Sequence, residues 1–425
     1  MSFNEFQFHP KVNAGIAACG YTAPTPIQKE AIPSILAGRD MLGLAQTGTG
    51  KTAAFVLPLL QRLLDGPRKT VRALIVAPTR ELAEQIHDNI EKMGVNTGLR
   101  SVVVYGGVGK QPQIKGIRSG AEIIVACPGR LLDLLSENAF NLRAVEVLVL
   151  DEADHMFDKG FLPDIRRIIK QLPTKRQTLV FSATMPQEIR HLAEEILYQP
   201  VTVQINHTLP APTISHRLYQ VAKARKTSLL KSIIDKGEMT CTLIFTRTKY
   251  KAKSLALVLE HAGYSATSLQ GNLSQQKRQQ AMDGFRDGTF KILVATDIAA
   301  RGIDVLGISH VINYDVPDTA ETYTHRTGRT GRATRFGQAV TFADRDDGKM
   351  ISLIERNLGK KMSREVTPPA CVSPRADEEA NIVEKRENFS RQTPRGNKTA
   401  TATRGKSRRS KACSFDFGTS KPGQR

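Results

Sequence analysis

Nowhere in the 425 residues do roughly eighteen consecutive apolar residues occur, so the sequence offers no candidate for a membrane-spanning helix. Cysteine is scarce. The five that occur (Cys19, Cys127, Cys241, Cys371 and Cys413) are an odd, scattered set without a CxxC pair. That argues against a zinc site and for a reducing compartment. The first ten residues, MSFNEFQFHP, have neither a basic n-region nor an apolar h-region, so no secretory leader is expected there and a cytoplasmic location is. Acidic residues are in deficit: 41 stand against 61 Lys and Arg, a net charge of +20. Ten Lys/Arg and one acid, Asp416, fall within Asn388–Arg425. No apolar helix face accompanies this charge, so it points to a nucleic acid rather than an anionic membrane.

What is present is repeated alternation of strand and helix. Between Arg39 and about Gln204, short Val/Ile/Leu runs occur at Met41–Leu44, Ala73–Ala77, Val102–Val104, Ile123–Ala126, Val145–Leu150 and Thr178–Phe181. Each is nearly continuous, as expected of parallel strands covered on both faces. Helical patterns such as Glu81–Met93 and Gln187–Ile196 separate them, giving a doubly wound α/β domain over 1–204. Residues 205–215, INHTLPAPTIS, carry two prolines and no periodicity and read as a linker. Alternation resumes over 216–362, with strands expected at Thr242–Phe245, Ala266–Leu269, Lys291–Ala295, His310–Asn313 and Gln338–Phe342. Helices are expected at Lys249–His261, Gln275–Phe285 and Asp346–Asn357. The two α/β domains read as distant repeats of which only the first has a phosphate loop. Beyond Met362, Pro, Ser, Thr, Gly and Arg dominate, and 363–425 is expected to be a disordered basic tail.

Several stretches carry chemistry. Ala45–Thr52, AQTGTGKT, lies between an apolar run and a helical pattern. A glycine-rich turn there aims backbone N–H groups of Ala45, Gln46, Thr47, Gly48, Thr49 and Gly50 at one point, with a helix N-terminus behind them. Lys51 would reach the outer phosphates of a nucleotide and Thr52 a Mg²⁺ bridging them. Val147–Asp154, VLVLDEAD, sets two carboxylates at a strand's C-terminal edge. Asp151 would hold the metal and Glu152 deprotonate the attacking water; read alone, the same residues make an ordinary acidic helix start. Gly20–Gln28, GYTAPTPIQ, places a Gln28 amide that could grip adenine, with Phe3 stacking on the base. Alone, it reads better as a proline turn capping a helix. In His325–Arg332, HRTGRTGR, Arg326, Arg329 and Arg332 recur every third residue. On a helix they would share one face, either as a solvated basic surface or as arginines reaching a γ-phosphate held by the first domain.

In this order and spacing, these motifs resemble the DEAD-box ATP-dependent RNA helicases across about Phe3–Leu358. The match also takes in PTRELAEQ (Pro78–Gln85), Gly106–Gly107, CPGR (Cys127–Arg130), SAT (Ser182–Thr184), LIFTRTK (Leu243–Lys249), Gln275 with Arg278, and VATDIAARGID (Val294–Asp304). The compact core and basic tail most resemble the bacterial RhlE-type subgroup. The resemblance implies two tandem RecA-like domains with ATP and Mg²⁺ in the cleft between them. Phe3, Tyr21 and Gln28 would bind adenine and Asp297 the ribose. Lys51, Thr52 and Asp151 would hold phosphates and metal, Glu152 would act as base, and Arg326 and Arg329 would complete catalysis. Ser182, Ala183 and Thr184 would couple hydrolysis to strand separation. RNA would lie on Pro78, Thr79, Arg80, Gly107, Pro128, Arg130, Arg247, Gln275, Arg278 and Thr296, mostly through sugar and phosphate. A monomeric core acting on RNA is expected, with ribosomal or RNA-decay proteins as partners by analogy. An RNA-stimulated ATPase that opens short duplexes is the first reading; an ATP-gated RNA clamp and a DNA-directed helicase are the rivals. Three positions depart from the family pattern: Cys127 for Thr, Gln270 for His, and Thr327 for an apolar residue.

Overall fold

Alternate residues of a buried strand face opposite sides of its sheet, so a run such as Ala73–Val76 needs cover on both. The computed structural model describes residues 2–366 except 47, 206–213, 237–238, 301–304, 306 and 332–335. In it Ala73 and Ile75 enter one apolar core, and Leu74 and Val76 enter the other. The first sheet has β1 (Met41–Leu44), β2 (Ala73–Val76), β3 (Ser101–Val104), β4 (Ile123–Ala126), β5 (Val147–Leu150), β6 (Gln177–Ser182) and β7 (Val201–Gln204). Its order is β3-β4-β2-β5-β6-β1-β7, with every pairing parallel. The second sheet has β8 (Ile214–Gln220), β9 (Thr242–Phe245), β10 (Ala266–Leu269), β11 (Ile292–Ala295), β12 (His310–Asn313), β13 (Gly337–Ala343) and β14 (Ser363–Glu365). Its order is β10-β11-β9-β12-β13-β8-β14, again parallel throughout. Counted from its own first strand, each sheet has the same order. The two α/β lobes are repeats of one architecture.

Three strands depart from the sequence expectations. Ile214 and Ser215, expected in the linker, begin β8, and Ser363–Glu365, expected in the disordered tail, pairs with Arg217–Tyr219 of β8. β7 was not anticipated at all. These strands are not buried on both faces: β7 and β8 alternate buried with exposed residues, and β14 is a largely exposed edge. A search for continuous apolar runs passes over them. The rest of the tail and most of the linker lie outside the described residues.

One close approach positions the phosphate loop. In β1, a Cβ on Gly43 would stand 2.6 Å from the Phe181 ring of β6, so only glycine lets that ring pack across the strand. Phe181 in turn meets Phe55 of the helix Lys51–Leu63 at 5.3 Å between centroids. Burying each such side chain contributes about 1.5–3 kcal/mol. The helix following the loop is thereby fixed against the sheet. Among the described residues, no helix is long and apolar enough to cross a membrane.

Candidate functional site

The phosphate loop leaves β1 and enters the helix Lys51–Leu63. Ala45 N–H donates to Ser182 O at 3.0 Å, anchoring the loop to the end of β6. Gly48 and Gly50 take φ of 86° and 93°, a region that favours glycine. Lys51 is buried, and its Nζ donates to Ala45 O at 2.7 Å, so the ammonium is folded inside its own loop. Thr52, the next residue, is half-buried.

Gln28 is buried beside this loop. Its Oε1 accepts from Thr25 N–H at 2.9 Å, and its Nε2 donates to Gly50 O at 3.1 Å. A Cβ on Gly50 would stand 2.5 Å from that Nε2. The helix-capping reading of GYTAPTPIQ therefore holds, and the same amide braces the phosphate loop. Phe3 is not an open platform for a base. It is 5% exposed, in a short 3₁₀ helix, with its ring stacked on the more exposed Tyr21 at 6.1 Å.

Beyond β5 the chain turns sharply. Glu152 has φ 54° and ψ 53°, a strained conformation for a residue with a side chain, and caps the helix Ala153–Asp158. Its Oε2 lies 2.8 Å from His155 Nδ1, with both side chains 4% exposed. Burial works to raise the Glu152 pKa, but the His155 hydrogen bond and the charges of His155, Lys51 and Arg329 outweigh it and hold the carboxyl below its usual range. Burial instead pushes Asp151 up to about 6, opposed by Lys51 and assisted by Glu152. Asp154 Oδ2 accepts from Thr184 N–H and from Thr184 Oγ1–H, each at 2.9 Å. Ser182 Oγ accepts from Asp154 N–H at 3.2 Å and donates to Thr184 O at 2.7 Å. The DEAD and SAT segments, with Ala183 between the two hydroxyl residues, form one hydrogen-bonded unit. His155 was missed from the sequence; its signal was the spacing of three from Glu152, which lets the two side chains meet.

The arginines correct the helical-face expectation. The helix Ala320–Thr327 ends at Gly328, so Arg326 occupies its last turn and Arg329 lies beyond it. Arg326 is held within its own lobe. It forks onto Asp297 (Nε to Oδ1 2.6 Å, Nη2 to Oδ2 2.7 Å), and its Nη1 donates to Asn313 Oδ1 and Asp315 O. Arg326 and Asp297 engage each other in this arrangement; no sequence pattern marked Asn313 or Asp315 as further partners of Arg326. Arg329 is 4% exposed, and its charge reaches Glu152 of the first lobe. Arg332 lies outside the described residues, as does Thr47.

Of the ten residues expected to meet RNA, five (Pro78, Thr79, Arg80, Arg130 and Arg278) line a cleft of about 600 Å³ bordered by both lobes, and Gly107, Pro128, Arg247, Gln275 and Thr296 are not in its lining. Thr79 caps the helix Arg80–Met93. Arg80 Nη1 donates to Gln275 Oε1 at 3.1 Å, and Arg278 pairs with Glu81 at 2.6 Å, so the lobes grip each other along this edge. Gly107, with φ 86°, accommodates Arg80: a Cβ there would stand 2.3 Å from Nη1. Arg130 Nη1 and Gln275 Nε2 are buried donors without a partner among the described residues. Pro128 starts the helix Pro128–Ser136, and Thr296 follows β11. Arg247 is about half exposed and pairs with Asp318 at 3.4 Å.

The three departures are accommodated. Thr327 Oγ1 donates to Tyr323 O at 3.0 Å, and Gln270 Oε1 accepts from Asn272 N–H at 2.7 Å. Cys127 sits at the cleft, where burial pushes its thiol up to about 12.

Comparison with known proteins decides the family. The DEAD/DEAH box helicase model matches residues 25–192, and the helicase conserved C-terminal domain model matches 225–334. The RNA helicase CrhR of Synechocystis sp. is 42% identical over 373 residues, 87% of this chain and 74% of the relative. The chain belongs to the DEAD-box RNA helicase family. The ATP-dependent RNA helicase CshA of Listeria monocytogenes is 40% identical to this helicase over 361 residues, 85% of this chain and 69% of the relative. Among solved structures, S. cerevisiae Dbp5 bound to RNA and ADP BeF3 aligns with the helicase at a TM-score of 0.79 and 32% identity, over 90% of this chain and 99% of that one. Mss116 bound to ssRNA and UDP-BeF aligns at 0.78 and 25% identity, over 92% and 86%. The two sheets are thus the tandem RecA-like domains of the family.

Proposed function

We propose that the helicase is an RNA-stimulated ATPase that locally opens short RNA duplexes, or remodels RNA–protein assemblies, by closing its two lobes around ATP and RNA. The observation that carries this reading is the contact of the two lobes beside the DEAD segment: His155, hydrogen-bonded to Glu152, meets the His325 ring of the second lobe at 5.6 Å, and Arg80 and Glu81 meet Gln275 and Arg278. A site whose base and whose arginine come from different lobes hydrolyses only when the lobes meet. RNA provides the gate, because Pro78, Thr79, Arg80 and Arg130 of the first lobe and Arg278 of the second border one cleft. The unpartnered donors of Arg130 and Gln275 suit phosphate and sugar oxygens. Dbp5 and Mss116 were each seen with RNA and a nucleotide analogue, which supports the same pair of ligands here.

In this reading, the phosphate loop cradles the triphosphate and Lys51 turns from Ala45 O toward it. One hydroxyl from Thr52 and one carboxylate from Asp151, itself buried beside Lys51, are a donor set suited to Mg²⁺, which takes few protein ligands and completes its shell with phosphates and water. Bound there, the ion would neutralise charge on the phosphates. Glu152, kept ionised, accepts the proton of the attacking water, and Arg329 stabilises charge on the transferring phosphoryl group. Asp154, Ser182 and Thr184 carry the change to the cleft. Adenine would bind near Gln28 and Tyr21, with Phe3 supporting Tyr21 from behind. Arg326 and Asp297 serve as the brace that positions the Arg329 turn. The compact core and basic tail are the support for an RhlE-type subgroup; the relatives named above carry the CrhR and CshA names.

The test is strand displacement on a short RNA duplex with and without ATP, with ATPase measured alongside in the presence of RNA or DNA of equal length. ATP-dependent displacement with stimulation by RNA is the expected result. Tight ATP-dependent RNA binding without displacement would establish the clamp instead, and equal stimulation by DNA would remove the RNA specificity.

A further inference from the structure

His155 has no role in the reading above, yet it touches the base that reading relies on. Its Nδ1 lies 2.8 Å from Glu152 Oε2. An ionised carboxylate only accepts, so Nδ1 must carry the proton and donate. The other ring nitrogen, Nε2, is buried and has no hydrogen-bond partner among the described residues. A histidine retained only for packing would have both nitrogens satisfied or exposed. The ring also meets His325 of the second lobe edge-on, with centroids 5.6 Å apart. Glu152 itself sits on strained backbone at φ 54°, so its carboxylate is not fixed by regular helical packing.

We propose that His155 is a positioning residue for hydrolysis: it holds the Glu152 carboxylate through one oxygen, and through its contact with His325 ties that geometry to lobe closure. The proposal rests on Glu152 being the base. One oxygen donated to by Nδ1–H is fixed in place, so the second is fixed too, because a carboxylate is planar and rigid. With the lobes apart, His155 loses the His325 ring that limits its rotation. The base is then aligned only in the closed state. The charged and titratable groups around the pair are Lys51 of the phosphate loop, Asp151 and Asp154 of the same motif, and Arg329 and His325 of the second lobe.

The test compares His155→Ala and His155→Asn in the full chain, measuring kcat and KM for ATP at saturating RNA, RNA affinity and the thermal midpoint. An asparagine amide can donate from about the place of Nδ1–H. The expected result is a kcat lower by about ten- to a hundredfold in His155→Ala, the order of loss that misplacing a reacting group by about 1 Å produces. KM for ATP and RNA affinity stay within about twofold, and His155→Asn recovers most of the rate. Equal kcat in His155→Ala and wild type overturns the proposal. So does a rate loss matched by losses of thermal midpoint and RNA affinity with no recovery in His155→Asn. Glu152→Gln separates the two claims. If it hydrolyses ATP like wild type, the base assignment fails; if it is inactive while His155→Ala is unaffected, only the role of His155 fails.

Discussion

β1 and β8 hold the same place in the two sheets, and each leads to a helix whose first residue is a buried lysine. After β1, the lysine is Lys51, set behind a glycine-rich loop, with its Nζ on Ala45 O. After β8, it is Lys226, set behind Ala222–Arg225, with its Nζ on Tyr314 O at 2.9 Å and Asp315 3.8 Å away. β5 and β12 also correspond, so Asp151 and Asp315 stand near their lysines in matching positions. What differs is the loop. Gly48 and Gly50 give the first connection two residues at positive φ, the backbone a phosphate-cradling turn requires. The second connection has no glycine, folds as a short 3₁₀ turn, and leaves its lysine braced against the Tyr314 ring at 5.8 Å. The second lobe keeps the strand, the helix and the buried lysine without the glycine loop, and in the proposed function it supplies Arg329 to the site of the first.

That division of labour can be broken at four points. Arg329→Ala should lower kcat for ATP hydrolysis by about 10³-fold while leaving ATP affinity nearly unchanged. Equal losses in kcat and affinity, measured by steady-state kinetics and nucleotide titration, would place Arg329 in ground-state binding instead. Arg326→Ala, three residues away, should act on stability: it strips a buried guanidinium from Asp297 and costs about 3 kcal/mol, read as a lower thermal midpoint. If its stability matched wild type and only kcat fell, Arg326 would regain the catalytic role that its position argues against.

The third point is His216, buried on β8, with Nδ1 2.9 Å from the Tyr323 hydroxyl. Burial, with the charge of Lys360 adding, lowers its pKa from 6.5 to about 4. The unfolded chain therefore binds a proton that the folded lobe refuses. Stability is full above pH about 6.5 and is lost as pH falls toward 4, by about 2 kcal/mol at pH 5. Thermal unfolding of the second lobe across this range should show the decline, and His216→Gln should flatten it. The smallest effect is expected from Lys226→Met, about 1 kcal/mol of stability with ATPase rate intact. The same change at Lys51 should abolish hydrolysis; matching phenotypes would show that the two lysines are not so different after all.

Most of the strands and the catalytic segments were legible because their physical demands are local. A strand covered on both faces must be apolar throughout, as Val147–Leu150 is, and a phosphate loop must have glycine where φ is positive. β7, β8 and β14 escaped because edge and half-covered strands need only alternate residues to be apolar. HRTGRTGR was read as one helical face, but the helix stops at Gly328 and sends Arg326 and Arg329 to different places. Gln28 and Phe3 were expected to face a base; the fold engages Gln28 with Thr25 and Gly50 and stacks Phe3 on Tyr21.

By itself, the sequence determined which residue types stand at each turn of the two α/β repeats and which motifs have the groups for phosphate and proton chemistry, because those follow from backbone conformation and side-chain functional groups. Only the tertiary structure decided which partner each group has. Asp297 closes on Arg326 rather than standing open, Glu152 is held by His155, and Arg80 and Glu81 of one lobe meet Gln275 and Arg278 of the other. These pairs lie up to 197 residues apart in the chain. Whether a charged group is a catalyst or a brace is set by distances of a few ångströms between segments that sequence order does not relate.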